Sequence, residues 1–254
     1  MKNNAIIIAL TGKGGVGKTS LSAAIVKELV KAYPDKKILA IDADPAIGLA
    51  TALGIEVKTT IDDIRNEVIK GADPSLNLDV VELLEEAKYR LFDALVEKNN
   101  FSFLAVGRPE AAGCYCKINQ YLKQTIRILS ENFDYVVIDG EAGIEQVNRR
   151  VMEKVTHLIL VSDGSKKGIQ VIQSIEDVAK RLVMYEKTGV VLNRLSPKGL
   201  EMNFDLGNLK LLSKIGTDND LLDYDMDGEC VFNLPDDAKI VVGAREALQQ
   251  LEII

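Results

Sequence analysis

The sequence predicts an α/β fold, a mostly parallel sheet with helices on both faces, and three observations predict it. Short apolar runs recur along the chain, separated by stretches in which apolar residues return every three or four positions. The runs are apolar throughout rather than alternating, as expected of strands buried on both faces of a parallel sheet. The first run, Ala5-Ile6-Ile7-Ile8-Ala9-Leu10, leads directly into a glycine-rich turn and then a helical pattern. Such alternation implies right-handed crossovers, with ligands at the carboxyl ends of the strands.

The 254 residues, 47% hydrophobic and 27% charged, suit one large domain spanning residues 1–254 rather than two small ones. A net charge of −7 disfavours nucleic-acid and anionic-membrane partners. No apolar run reaches the length of a membrane span, and no signal peptide is expected before the first strand. Three cysteines, an odd number, argue against a disulfide scaffold and for a cytoplasmic location.

Strands are expected at residues 5–10, Ile38–Asp42, Phe103–Val106, Tyr135–Asp139, His157–Val161 and Val190–Asn193. Helical faces follow from Leu21, Ala24, Ile25 and Leu29; from Ile118, Leu122, Ile126 and Leu129; from Ile144, Val147 and Val151; and from Ile169, Ile172, Ile175, Val178 and Leu182. Two stretches lack a regular pattern, Glu56–Asn100 and Ser196–Asp227.

Gly12-Lys13-Gly14-Gly15-Val16-Gly17-Lys18-Thr19 has the phosphate-loop spacing in its required context of strand, turn and helix. The glycines let successive amides curl around phosphates, and the helix N-terminus adds partial positive charge. Lys18 supplies a point charge, and Thr19 a hydroxyl for Mg²⁺. Gly12 through Ser20 are therefore assigned to ATP or ADP. Lys13 sits too early in the loop to duplicate Lys18.

With Lys13 the loop resembles that of the signature-lysine ATPases, the class that includes the MinD/ParA, nitrogenase iron-protein and nickel-insertion ATPases. The resemblance implies that Lys13 reaches across a homodimer to phosphates bound by the partner. An exposed lysine without a special role is the plain alternative.

Two further strands end in carboxylates. Ile38–Ile41 exits through Asp42-Ala43-Asp44-Pro45, a spacing suited to organising Mg²⁺ or a water. The resemblance implies that Asp44 positions the attacking water and that Asp42 lies near the metal's water shell; a solvated turn is the alternative. Tyr135-Val136-Val137-Ile138-Asp139 reads as a Walker B strand, with Asp139 holding Mg²⁺ indirectly. Gly140 and Gly143 permit close approach to a γ-phosphate, although Gly140 stands where the family commonly has threonine. Glu141 is either a second metal-site acid or part of the next helix's N-cap. The catalytic set is thus Lys13, Lys18 and Asp44. The resemblance implies that Asn193 and Arg194, at the end of Val190-Val191-Leu192, and the later Pro235 frame adenine; ordinary strand-end and turn punctuation is the alternative.

Gly113-Cys114-Tyr115-Cys116 precedes an amphipathic helix. Two thiols one residue apart near a helix N-terminus favour thiolate, the form that binds Ni²⁺ or Zn²⁺. One Cys-x-Cys supplies two ligands, whereas a closed tetrahedral site needs four, so a two-fold dimer would complete it. Together with Gly107-Arg108-Pro109-Glu110 and Glu141-Ala142-Gly143, the pair resembles the CooC-type nickel-insertion ATPases, over about residues 5–250. Many of those relatives carry histidine where this chain has Gln146. The resemblance implies an ATP-dependent homodimer delivering nickel to a client, carbon monoxide dehydrogenase or acetyl-CoA synthase. Two other readings stay open: a MinD/ParA-type positioning or partitioning ATPase, and a carrier of an iron–sulfur cluster held by four symmetric thiolates. Cys230, in a strand-like run, and His157, the single histidine, are expected to be structural, and catalytic triads are excluded.

Overall fold

The computed structural model describes residues 5–71, 89–98, 100–107, 116–140, 151 and 154–254. In chain order the elements are β1 (Ile6–Gly12), α1 (Lys18–Ala32), β2 (Ile38–Asp42), α2 (Gly48–Ala52), α3 (Ile61–Gly71), β3 (Val96–Lys98), β4 (Phe101–Ala105), α4 (Cys116–Ser130), β5 (Tyr135–Asp139), β6 (His157–Ser162), α5 (Lys166–Leu182), β7 (Lys187–Leu195), α6 (Pro197–Glu201), β8 (Leu211–Gly216), α7 (Asn219–Asp227) and α8 (Lys239–Gln250). A 3₁₀ turn covers Val231–Asn233. The eight strands among the described residues form one sheet in the order β3-β4-β2-β5-β1-β6-β7-β8. Every pairing is parallel except that of the short edge strand β3 with β4.

Successive residues of the central strands feed different cores, which explains their unbroken hydrophobicity. Ile8 and Leu10 of β1, with Ile38 and Ala40 of β2, pack against α1, α2 and α8. Ala9, Leu39 and Ile41 face the other way, onto α3, α4 and α5. A period-2 chain buried on both sides has no polar face to show. Apolar burial at roughly 25 cal/mol per Å² supplies the main stabilising term for these two layers.

Strands β2 and β5 match the sequence expectation residue for residue, whereas β4 begins at Phe101 rather than Phe103. Ser196–Asp227, without a regular pattern in the sequence, contains α6, β8 and α7. The run around Cys230 is a 3₁₀ turn and not a strand, and Cys230 is half-buried. His157 opens β6 and is buried, with its Nδ1 2.8 Å from Thr156 Oγ1. The helix expected around Ile144 and Val147 lies outside the described residues.

The strand order places β1 between β5 and β6, while α1 carries the chain over β5 to β2. Gly12, Asp42 and Asp139 therefore leave neighbouring strands on one rim of the sheet, with Leu10 and Asp42 both opposite Asp139 in register.

Candidate functional site

The loop after β1 is shaped by residues without a Cβ. Gly12 (φ 149°), Gly15 (φ 75°) and Gly17 (φ 84°) all take positive φ. A Cβ on Gly12 would lie 2.0 Å from the carbonyl oxygen of Val161, so only glycine lets the loop leave the sheet here. Gly17 is the N-cap of α1 and offers no side-chain acceptor, and the first turn holds no acid. Among the described residues, no oxygen accepts from the amides of Gly14 through Ser20. Lys18 Nζ reaches back to the carbonyl of Lys13 at 3.3 Å. Uncapped amides, a helix N-terminus and an ammonium together form a cradle for phosphate oxygens.

The acids divide the work. Asp139 is buried at the end of β5. Its Oδ1 accepts from Ser22 Oγ at 2.9 Å, and its Oδ2 is buried with no hydrogen-bond partner among the described residues. Burial pushes its pKa up to about 6, against the pull of Thr19, Ser22 and Lys18. An orphaned, desolvated carboxylate oxygen beside Thr19 suits a hydrated Mg²⁺, whose charge would restore the ionised form.

Asp42 lies opposite Asp139 on the adjacent strand and serves the backbone around it. Both oxygens are spent on backbone, Oδ1 accepting from Asp44 N at 3.0 Å and Oδ2 from Leu49 N at 2.8 Å. It shapes the turn and caps α2, and burial followed by the charge of Asp139 lifts its pKa to about 7. Asp44 is half-buried, and its Oδ1 takes only the amide of Ala46, at 2.9 Å.

Lys13 is held within its own chain. Its Nζ donates to Asp163 Oδ2 at 2.5 Å, and Ser165 Oγ donates to the other oxygen at 2.5 Å. The bonds from Lys13 and Ser165 outweigh burial and keep the Asp163 carboxyl below its ordinary range. Asp163 was not legible as a site residue, because it lies 150 positions from Lys13.

Asn193 and Arg194 also meet the loop, through Asn193 Nδ2 to Val16 O (2.9 Å) and Arg194 Nη1 to Gly15 O (2.8 Å). Pro235 does not join them. The carbonyl of the preceding Leu234 accepts from Lys27, and Asp236 bonds Lys31 at 2.5 Å, so this segment lies along the C-terminal half of α1. Beside Arg194 stand instead the exit of β8, where Thr217 N donates to Leu195 O at 3.1 Å, and Asp225 of α7, whose carboxyl burial raises and Arg194 opposes.

Cys114 lies outside the described residues, as do Glu141, Gly143 and Gln146; Cys116 is the first residue of α4, and its side chain is likewise outside them. Among the described residues no three His, Cys, Asp or Glu side chains converge on a metal position. No described helix is long and apolar enough to cross a membrane.

The family model of the CobQ/CobB/MinD/ParA nucleotide binding domain matches residues 7–231. An uncharacterized ATP-binding protein of Methanocaldococcus jannaschii is 35% identical over 251 residues, covering 97% of this chain and 98% of that protein. The carbon monoxide dehydrogenase accessory protein CooC of Rhodospirillum rubrum is 28% identical over 246 residues, covering 89% of each. The cell division protein MinD of Aquifex aeolicus superposes with a TM-score of 0.69 at 22% identity, covering 98% of this chain and 97% of that one. MinD of Pyrococcus horikoshii, solved with Mg-ADP, gives 0.68 at 20% identity, covering 98% and 96%. These structural likenesses concern the fold.

Proposed function

The chain belongs to the CobQ/CobB/MinD/ParA nucleotide-binding family, and on that premise we propose that it is a dimeric Mg-ATP hydrolase that loads nickel into a client enzyme. The observation that carries the hydrolase reading is the uncapped N-terminus of α1 beside the orphaned oxygen of Asp139. In this reading the amides of Gly14 to Ser20 and the ammonium of Lys18 bind the phosphates, and Thr19 and Asp139 hold the metal. Mg²⁺ held there would supply neutralising charge to the phosphates. Asp44, with one oxygen unbonded among the described residues, orients water for in-line attack. Lys13, released from Asp163, stabilises charge on phosphates bound by the other copy.

The cargo reading rests on the Cys114-Tyr115-Cys116 spacing, on the position of Cys116 at the start of α4, and on the likeness to CooC. Two copies contribute four thiolates to one tetrahedral nickel site, for which zinc substitutes. Nucleotide state then governs retention or release, because ATP binds the closed arrangement more tightly than ADP does. In this reading the client is carbon monoxide dehydrogenase or acetyl-CoA synthase. A MinD-like positioning role is the second reading, favoured by the likeness to MinD proteins. Against it stands the net charge of −7.

The test is metal content and hydrodynamic size with and without Mg-ATP, for the wild type and a Cys114→Ala, Cys116→Ala double variant. Nickel or zinc at about one ion per two chains, lost in the variant while ATP-dependent dimerisation persists, is the expected result. A metal-free wild type that sediments with anionic vesicles in ATP would replace it with the positioning reading. Visible absorption of anaerobically purified protein separates an iron–sulfur cluster from either.

A further inference from the structure

We propose that the outward face of α7 docks a basic, amphipathic segment of a partner protein, with Leu222 and Met226 as the apolar anchors.

The net charge of the chain is concentrated rather than spread. Between Asp218 and Asp237 lie eight acids and no lysine or arginine, while the whole chain carries −7, so the residues outside this segment sum to +1. Nearly half of the segment is α7, which follows the carboxyl end of β8. Some of its acids are occupied. Asp218 caps α7 and α8, Asp236 bonds Lys31, and Glu229 accepts from Asn233 Nδ2 at 2.9 Å. Arg194, which bonds Gly15 O of the phosphate loop at 2.8 Å, faces the charge of Asp225. Asp220, Asp223 and Asp227 have no hydrogen bond or ion pair among the described residues.

The helix is fastened from one side only. Leu221 is buried, Tyr224 packs on the same core, and the Tyr224 hydroxyl donates to Asn233 O at 3.2 Å. Asp218 fixes its start, and Gly228, at φ 69°, closes its end through the carbonyl of Tyr224. Leu222 and Met226 stand four residues apart, so they share a face, and they are 41% and 78% exposed. Met226 is the most exposed large hydrophobic side chain among the described residues. At 3.6 residues per turn, Asp225 flanks this stripe on one side and Asp223 on the other.

Helix stability does not account for these acids. Asp223 and Asp227 repel one another at i,i+4, and the last turn, where a cation would suit the helix dipole, holds no base. A lone exposed methionine carries no meaning. A flexible, polarisable side chain set between unpaired carboxylates is complementary to a helix with apolar residues on one stripe and Lys or Arg beside it. The carboxylates would steer and register such a segment, and burial of Leu222 and Met226 would supply affinity. Nucleic acid and anionic lipid carry the wrong sign for this face. A second copy meeting it through the same face would set acid against acid.

Fluorescence anisotropy of a dye-labelled synthetic peptide of leucine and lysine, spaced to put leucine on one helical stripe, tests this against the full chain. The comparisons are a peptide of the same composition with the stripe scrambled, and two double variants, Leu222→Ser with Met226→Ser and Asp223→Asn with Asp227→Asn. All four side chains are exposed, so the fold is kept, which circular dichroism checks. The striped peptide is expected to bind, with Kd raised about tenfold by the apolar pair and about fivefold by the acid pair, the latter also flattening the salt dependence. Equal affinity for striped and scrambled peptides, or for the wild type and the apolar variant, would leave only diffuse charge attraction and overturn the proposal. No binding at about 100 µM peptide would overturn it as well. Self-association of the wild type in sedimentation, abolished by the apolar pair, would make the occupant a second copy and equally overturn it.

Discussion

The N-terminus of α1 differs from the helix N-termini elsewhere in the described fold. Thr60 and Asp63 cap α3 reciprocally: Thr60 Oγ1 accepts from Asp63 N at 3.1 Å, and Asp63 Oδ2 accepts from Thr60 N at 2.8 Å. Ser165 caps α5 at 3.0 Å and Ser196 caps α6 at 3.2 Å. Helices α2 and α8 borrow carboxylates from other elements, Asp42 for Leu49 N and Asp218 for Ile240 N. Asp218 also caps its own helix, α7, through Leu221 N. Only α1, among the helices whose entry is described, begins with glycine, no side-chain acceptor and no acid. A fold that satisfies its helix ends with such regularity leaves one open where an external acceptor supplies the bonds.

Substitutions on the two kinds of helix end should therefore separate cleanly. The largest effect belongs to Lys18→Ala, expected to lower ATP turnover by about 10²- to 10³-fold with little change in melting temperature, measured by phosphate release. Gly17→Ala comes next, because its Cβ meets Asn193 Nδ2 at 2.7 Å and its φ is 84°. It is expected to weaken Mg-ATP binding at least tenfold and to destabilise the fold by about 1–2 kcal/mol. At the capped ends the pattern inverts. Asp218→Ala removes two caps at once and should cost about 2 kcal/mol in urea unfolding while ATP affinity holds within about twofold. Thr60→Ala should cost about 1 kcal/mol, again without a nucleotide effect. If Asp218→Ala weakened ATP binding as much as Gly17→Ala, the contrast between open and capped ends would lose its meaning.

What the sequence disclosed depended on how local the cause was. Gly12–Thr19 and the carboxylates closing β2 and β5 were legible because strand, turn and helix succeed one another within a short span. Strand β8 was hidden because it forms one edge of the sheet and mixes Ser213 and Lys214 into an apolar run. Helix α7 was hidden because its acids outnumber its buried contacts, of which Leu221 is the main one. The roles of Asp163, Asn193 and Arg194 depend on contacts across 150 residues or more, for which no local pattern exists. Pro235 was assigned from the resemblance to related ATPases, but Lys27 and Lys31 hold its neighbours along α1 instead.

The two rims of the sheet sharpen the same contrast. At the amino ends of the strands a cavity of about 640 Å³ is lined by Lys36, Lys37, Phe92, Phe101, Asn132 and others, with no glycine among its walls. The opposite rim carries Gly12, Gly17 and Asp139.

Hydrogen–deuterium exchange of the full chain with and without Mg-ATP compares the open amides with every capped end in one experiment. Slowed exchange at Gly14–Ser20 on adding nucleotide, with the caps of α3, α6 and α7 and the amino-end cavity unchanged, is the predicted result. Unaltered exchange in that loop at saturating nucleotide, or protection at the amino-end rim instead, would contradict the account.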